Sequence, residues 1–491
     1  MAIINENILW ASADKLRGSV APSDYMHITL GLIFLKYISD RFEEKHKALL
    51  DEGEGFENDK DEYIADHIFW VPEKSRWEYV ASFSKQEEIG QKLDEAFIEL
   101  EKENEELKGI LPKTYSKPEV DKRRLGELVD LFTNELITED KEGDFMGQVY
   151  EYFMSKFARK LGEKGGEFFT PRCIVKLLVY MINPTNGRVY DPCCGSGGMF
   201  VQCAEFVKAH AGNVNDISVY GQEMNSTTWK LAKMNLAIRG ISANLGDAPG
   251  DTFFDDKHKT LRCDYILANP PFNISDYGQP KLIGDPRWEF GTPPEGNANY
   301  AWIEHMYSKL APNGVAGFVL ANGSLSTSNK QEFEIRKQML ESGKIDCIIT
   351  CPDKLFYTTG IPVSLWFIRK NKSNKNVLFI DARNMGEMID RKVRELKDID
   401  LETITNTYHT WLSNNGYEDK KGYCKSAALE EIREADYTLV PGRYVGIDDS
   451  NKMSEEEIDA EIKKVSAELL TLFEESKELE EKVIEILKAN L

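Results

Sequence analysis

No run of about 18 apolar residues occurs in this 491-residue chain, so no segment reads as a membrane span. Met1 to Trp10 lacks the basic start and apolar stretch of a secretion signal, which gives a cytoplasmic expectation. Cysteine is sparse, eight in all and scattered, so no disulfide framework is expected. Cys193 and Cys194 are adjacent and Cys347 and Cys351 lie four apart, yet no histidine cluster accompanies them, and no metal site is expected. The Gly-x-x-x-x-Gly-Lys-Ser/Thr phosphate loop is also missing, which excludes a nucleotide-driven motor of that kind. Positive charge is short: 61 Lys and Arg face 83 Asp and Glu, a net −22. Duplex binding draws chiefly on Lys and Arg that neutralise phosphates, so this chain alone grips DNA weakly. Either its substrate is not nucleic acid or a partner supplies the basic surface.

What is present suffices for a folded protein, with 41% hydrophobic and 11% aromatic residues. At about 150 residues per domain the length suggests two or three domains. Three parts are expected: a helical N-terminal domain over 1–157, a catalytic domain over 158–425, and a link with a C-terminal helix over 426–491. In the first part Ile28, Leu32, Leu35 and Ile38 follow helical spacing. In the second, short β-rich runs alternate with helical stretches: Gly187 to Tyr190, Ile217 to Gly221, Cys263 to Ala268, Gly314 to Leu320, Ile345 to Thr350, Val363 to Ile368 and Val377 to Ile380. That alternation predicts an α/β fold, a mostly parallel sheet covered by helices on both faces. Ligands of such sheets sit beyond the carboxyl ends of the strands. From Ser454 onward, Ile458, Ile462, Val465, Leu469, Leu472, Ser476, Leu479, Val483 and Ile486 alternate by four and three, a coiled-coil-like seam. Charged residues cover its other faces, which favours docking on helices of a partner over folding back.

The motifs fall at strand ends. Asp191-Pro192-Cys193-Cys194-Gly195-Ser196-Gly197-Gly198 follows the first strand, where glycines let the backbone approach a ligand before a helix starts. It is not the dinucleotide fingerprint, because Phe200 holds the place of the third glycine. Glu223, at the tip of the next strand, is placed to accept ribose hydroxyls. With no phosphate-loop lysine, an adenosine cofactor without a pyrophosphate fits. Asn269-Pro270-Pro271-Phe272 ends the strand Cys263 to Ala268. Its prolines remove two backbone donors and hold the chain extended, leaving the Pro270 carbonyl beside the Asn269 amide oxygen. Two such acceptors bind both hydrogens of an aromatic amine and draw its nitrogen toward a tetrahedral form able to attack a sulfonium methyl. Phe272 offers a flat face for stacking a base.

These residues together resemble the modification (methyltransferase) subunit of type I restriction-modification enzymes, within the adenine-specific amino-methyltransferases. The similarity spans nearly the whole chain and implies the S-adenosylmethionine-dependent methyltransferase fold, Rossmann-like, with a seven- to eight-stranded sheet. Glu167, Phe168, Phe169, Thr170, Pro171 and Arg172 resemble the segment that cradles the methionine end of the cofactor. Asp191 to Gly198 resembles the cofactor loop, Glu223 the ribose acid and Asp251 the residue at the cofactor's adenine, with Asp247 a second candidate for that role. Asn269, Pro270 and Phe272 match the amine-binding motif. Leu355 to Pro362, with Phe356 and Tyr357, resembles the loop that helps enclose the flipped base. Cys193 stands where the family often has Ala or Thr. The resemblance implies N6 methylation of adenine in DNA and a specificity subunit that reads the target sequence. It further implies a second copy of this subunit and a motor-nuclease subunit for cleavage. A methyltransferase acting on RNA bases or protein glutamine, and a catalytically silent scaffold, are the competing readings.

Overall fold

The computed structural model describes residues 22–135, 149–150, 152–153, 156, 170–210, 212–356, 360–391, 393–447 and scattered positions from 462 to 488. Glu167, Phe168, Phe169, Tyr357 and, from the tail seam, Ile458, Leu472, Val483 and Ile486 lie outside the described residues.

The helical part starts with one long helix, Pro22–Glu52. Ile28, Leu30, Leu32, Ile33, Phe34 and Leu35 are all fully buried, so this stretch is apolar on every side and needs neighbours all round. The helices Trp77–Ala81, Lys122–Glu135 and Ser226–Ile238 supply them. The Tyr115 hydroxyl, buried at the same interface, donates to the Ile28 carbonyl at 3.0 Å.

Behind this lies a nine-stranded sheet. Its first strands are β1 (Gly187–Asp191), β2 (Ile217–Gly221), β3 (Ala243–Asn244) and β4 (Cys263–Ala268). Then follow β5 (Leu310–Ala321), β6 (Ile345–Thr350), β7 (Val363–Arg369) and β8 (Val377–Asp381). A separate ribbon of β9 (Glu387–Met388) and β10 (Arg394–Glu395) precedes the last sheet strand, β11 (Cys424–Ala427). The spatial order is β3-β2-β1-β4-β5-β7-β6-β8-β11. All sheet strands run parallel except β7 and β11. Each of the seven expected runs forms a strand. The count rises from the expected seven or eight to nine because β3 and β11, two and four residues long, join at the edges. Segments that short carry no readable period.

Neighbouring residues on the central strands enter opposite cores, as a period of two demands. Val189, Leu267 and Val319 pack with the helices Arg172–Ile182, Gly198–Ala209 and Asp398–Ser413. Tyr190, Ile266 and Phe318 pack with Asn299–Lys309, Lys330–Glu341 and Leu429–Glu434. Residue 425, the expected end of the catalytic part, lies within β11, and Leu439 and Tyr444 still pack on the sheet.

The helix Ser226–Ile238 joins the two bodies. Leu231, Met234 and Ile238 lie in the core of the helical part, while Trp229, Ala232 and Leu236 lie in that of the sheet. At the amino end of β6 sits a buried ion network. The Asp346 carboxylate meets Arg369 at 3.2 Å, Lys372 at 3.6 Å and the Tyr408 hydroxyl at 2.6 Å. All eight cysteines are unpaired, and all but Cys193 are buried. Among the described residues no helix is long and apolar enough to cross a membrane.

Candidate active site

The ladder between β1 and β2 runs on past the strands and shapes the loop that follows. The Gln222 N–H donates to the Asp191 carbonyl at 3.0 Å, and the Cys194 N–H to the Gln222 carbonyl at 2.9 Å. The Cys193 N–H then bonds the Asp191 carboxylate at 2.9 Å. Gly195 and Gly197 take φ of +54° and +81°, where a side chain would be strained, and the turn closes through the Gly197 N–H on the Cys194 carbonyl. The helix Gly198–Ala209 starts at once. From behind, the buried Asn235 amide donates to the Ser196 carbonyl at 2.8 Å. Among the described residues, nothing lies within 4 Å of where a side chain on Gly198 would start.

Glu223 is tied into the same loop. One carboxylate oxygen accepts the Gly195 N–H at 3.1 Å, and the other accepts the Asn225 N–H at 2.7 Å. Each oxygen keeps a further lone pair for a ligand hydroxyl. Burial pushes the Glu223 carboxyl upward against the pull of the Asn225, Gly195 and Met224 N–H groups. Burial also raises Asp191, to about 7, opposed by the Cys193 N–H and assisted by the charge of Glu223. The Glu223 carbonyl accepts the Gly250 N–H at 3.0 Å, so the Asp251 loop hangs on the ribose candidate. Asp251 itself accepts the Phe253 N–H at 2.8 Å, and the Thr252 hydroxyl donates to the Pro192 carbonyl at 2.5 Å. Asp247, the other candidate, stands 87% exposed and pairs with Lys257 at 3.3 Å, which favours Asp251.

Asn269 follows β4. Its amide NH2 donates to the Thr170 hydroxyl oxygen at 2.9 Å. Its amide oxygen is buried and, among the described residues, has no hydrogen-bond partner. Thr170, Asp191, Gly195, Ser196, Gly198 and Asn269 line one cavity of about 50 Å³. Pro270 is buried, and the Phe272 ring meets Phe356 edge-on at 6.2 Å.

The structure therefore brings the glycine loop, Thr170 and Asn269 together, with Glu223 and Asp251 attached by backbone bonds and the Phe272–Phe356 pair beside them. Pro171 caps the helix Arg172–Ile182, and Arg172 pairs with Glu205 at 3.2 Å on the surface; neither lines the cavity. Sequence reasoning missed the asparagines after the tetrapeptide. Asn273, at φ +55°, donates its N–H to the Asn299 side chain at 2.9 Å, and the Asn299 amide returns a bond to the Asn273 side chain at 2.9 Å. Asparagine tolerates that backbone region, so its place directly after Phe272 is the one signal available.

Two family models match the chain. N-6 DNA Methylase covers residues 141–453, and the HsdM N-terminal domain covers residues 5–132. The chain is 46% identical over 368 residues to the type I restriction enzyme HindI methylase subunit of Haemophilus influenzae, covering 73% of this chain and 83% of that one. It is 38% identical over 515 residues to the MjaIX methylase subunit of Methanocaldococcus jannaschii, covering 99% and 91%. Its structure is similar to that of a type I restriction-modification methyltransferase subunit from Streptococcus thermophilus, with a TM-score of 0.77, 26% identity, and 90% and 99% of the two chains covered. The sheet order, the strand-end site and these likenesses agree: the chain belongs to the N-6 DNA methylase family, among the methylase subunits of type I restriction enzymes.

Proposed function

We propose that this chain moves a methyl group from S-adenosylmethionine to the N6 amine of an adenine turned out of a DNA duplex, while a separate specificity subunit reads the target sequence. The Asn269 amide carries this reading. Thr170 engages its NH2, so the oxygen is the other end, buried and, among the described residues, without a partner. A buried acceptor with nothing to accept costs about 1–3 kcal/mol, and a primary amine is a donor that removes the cost. The Pro270 carbonyl is the second acceptor. With both hydrogens held, the amine nitrogen keeps its lone pair out of the ring and free to attack. Phe272 stacks the base, and Phe356 supports Phe272 edge-on. Asn269 and Phe272 thus bind and orient; no residue of the chain forms a covalent bond with the substrate.

The residues fit the cofactor. Gly198 leaves open backbone, the spare lone pairs of Glu223 suit a ribose, and the Asp251 loop suits an adenine amine. The cavity, about 50 Å³, is far below the few hundred Å³ that enclose a drug-sized ligand, so the residues lining it would hold one end of the cofactor only. When bound, S-adenosylmethionine supplies an electrophilic methyl on a positive sulfur.

A net −22 chain leaves phosphate binding to partners. The assembly is a cytoplasmic complex of a specificity subunit and two copies of this chain, joined by a motor-nuclease subunit for cleavage. Extrusion of the base follows because its amine is out of reach inside the stack.

The test is tritium transfer from the cofactor by the complex with its specificity subunit, offered DNA, RNA and protein. N6-methyladenine in DNA alone is expected, with Asn269→Ala abolishing transfer and keeping cofactor binding. Label in RNA or protein, or an Asn269→Ala variant as active as the parent, overturns the reading.

A further inference from the structure

Residues 273–298 leave the catalytic tetrapeptide and return to the helix Asn299–Lys309 as a strap along one sheet face. Its Leu282, Trp288 and Phe290 pack in the same core as Tyr190 and Phe253. Asn273 and Asn299 clip its two ends together. At its centre is Arg287, a guanidinium only 13% exposed.

Arginine has five N–H donors in a planar fork, and here each has an acceptor. Nε donates to one Asp285 oxygen at 2.8 Å, and Nη2 to the other at 2.7 Å. Nη2 also reaches the Phe253 carbonyl at 2.7 Å. Nη1 donates to the Thr252 carbonyl at 3.1 Å and to His305 Nδ1 at 3.2 Å. His305 is fully buried, and burial, with the charges of Arg287 and Lys309, holds it well below its usual range. It is therefore neutral, accepts through Nδ1, and carries its proton on Nε2, 3.4 Å from the Tyr190 hydroxyl. Asp285 aims the fork, and the Trp288 ring lies 5.2 Å from it.

With every donor engaged, Arg287 has none left for a ligand. Two of its bonds go to the peptide carbonyls directly after Asp251, and the Asp251 carboxylate is itself bonded to the Phe253 N–H. The direction of that carboxylate therefore follows the peptide planes that Arg287 holds.

We propose that Arg287 is the positioning residue of the cofactor's adenine site: gripping the Thr252 and Phe253 carbonyls, it aims the Asp251 carboxylate and ties that site to the strap leaving Asn269–Phe272. This rests on the reading above that Asp251 meets the adenine. Lysine cannot replace it, because a single ammonium lacks the fork that serves Asp285, two carbonyls and a histidine together.

The experiment uses the full chain in complex with its specificity subunit and titrates S-adenosylhomocysteine and free adenosine by calorimetry. Arg287→Met and Arg287→Lys are expected to weaken both ligands by about tenfold, the loss of one to two net hydrogen bonds. The kcat at saturating cofactor and the KM for DNA stay within about twofold, since Asn269 and Phe272 keep their partners. Adenosine affinity unchanged in both variants, or kcat and thermal midpoint falling while affinity holds, overturns the proposal. Should those variants not fold, Asp285→Asn keeps the guanidinium and loosens its aim; a smaller loss of adenosine affinity is then expected, and none overturns it. Asp251→Ala separates the two readings. If it leaves adenosine binding intact, the Asp251 assignment fails; if it weakens binding and Arg287→Met does not, this inference alone fails.

Discussion

The Thr170 hydroxyl oxygen, 99 residues away in sequence, accepts an amide hydrogen of Asn269 at 2.9 Å. An amide's oxygen and NH2 ends are nearly equal in shape, so a partner decides which faces a cavity. In this structure Thr170 engages the NH2 end, although the family resemblance placed Thr170 with the methionine end of the cofactor. Thr170→Val keeps the shape and removes the acceptor. We expect kcat to fall by about tenfold or more, with S-adenosylhomocysteine affinity unchanged and Thr170→Ser near the parent. Single-turnover rates beside calorimetry check this. A loss in affinity equal to the loss in rate would assign Thr170 to the cofactor instead.

Asp191 predicts a pH dependence. An unfolded aspartate ionises near about 3.9, whereas burial holds the folded carboxyl to about 7. Between those values the folded protein binds more protons. The contribution to stability is thus full below about 4 and lost as pH rises through about 7. A ligand with a positive sulfur favours the ionised form. Affinity for S-adenosylmethionine should accordingly climb through pH 7 more steeply than that for uncharged-sulfur S-adenosylhomocysteine, and Asp191→Asn should remove the difference. Parallel curves for the two ligands would contradict the assignment.

The Asp346 network predicts a stability effect without a catalytic one. Asp346→Ala leaves Lys372 buried and Arg369 largely so, without their counter-charge. Removing one partner of a buried pair costs about 3–5 kcal/mol. Urea unfolding should show a loss of that order, while transfer activity well below the midpoint stays near that of the parent.

The tail predicts a loss of assembly. Ile462, Val465, Leu469, Leu470 and Leu479 are each about half exposed or more. A chain ending at Met453 should keep its thermal midpoint and its cofactor affinity, yet elute apart from the specificity subunit on size exclusion. Co-elution would move the docking surface elsewhere.

What was legible in the sequence is local. The β1, β2 and β4 runs and the motifs that end them lie within a few residues of one another, so period and punctuation suffice to place them. Even the start of β5 was displaced: the strand begins at Leu310 rather than Gly314, because Leu310 pairs with Cys263 across an irregular register. What stayed hidden is tertiary. Thr170 with Asn269, Asn273 with Asn299, and Arg287 with the Thr252 carbonyl each join positions with no shared period. The strap 273–298, which holds Asn273 and Arg287, has neither helical nor strand spacing, and only the fold brings those two residues to their partners.

The rod Ser226–Ile238 has one side in each body, and α-helices are about 10 Å thick. Rotating it to relieve Leu231 and Met234 would drag Asn235 along, and with it the peptide oxygen of Ser196. The glycine turn is thus tied, through Asn235, to the helix that the two cores share.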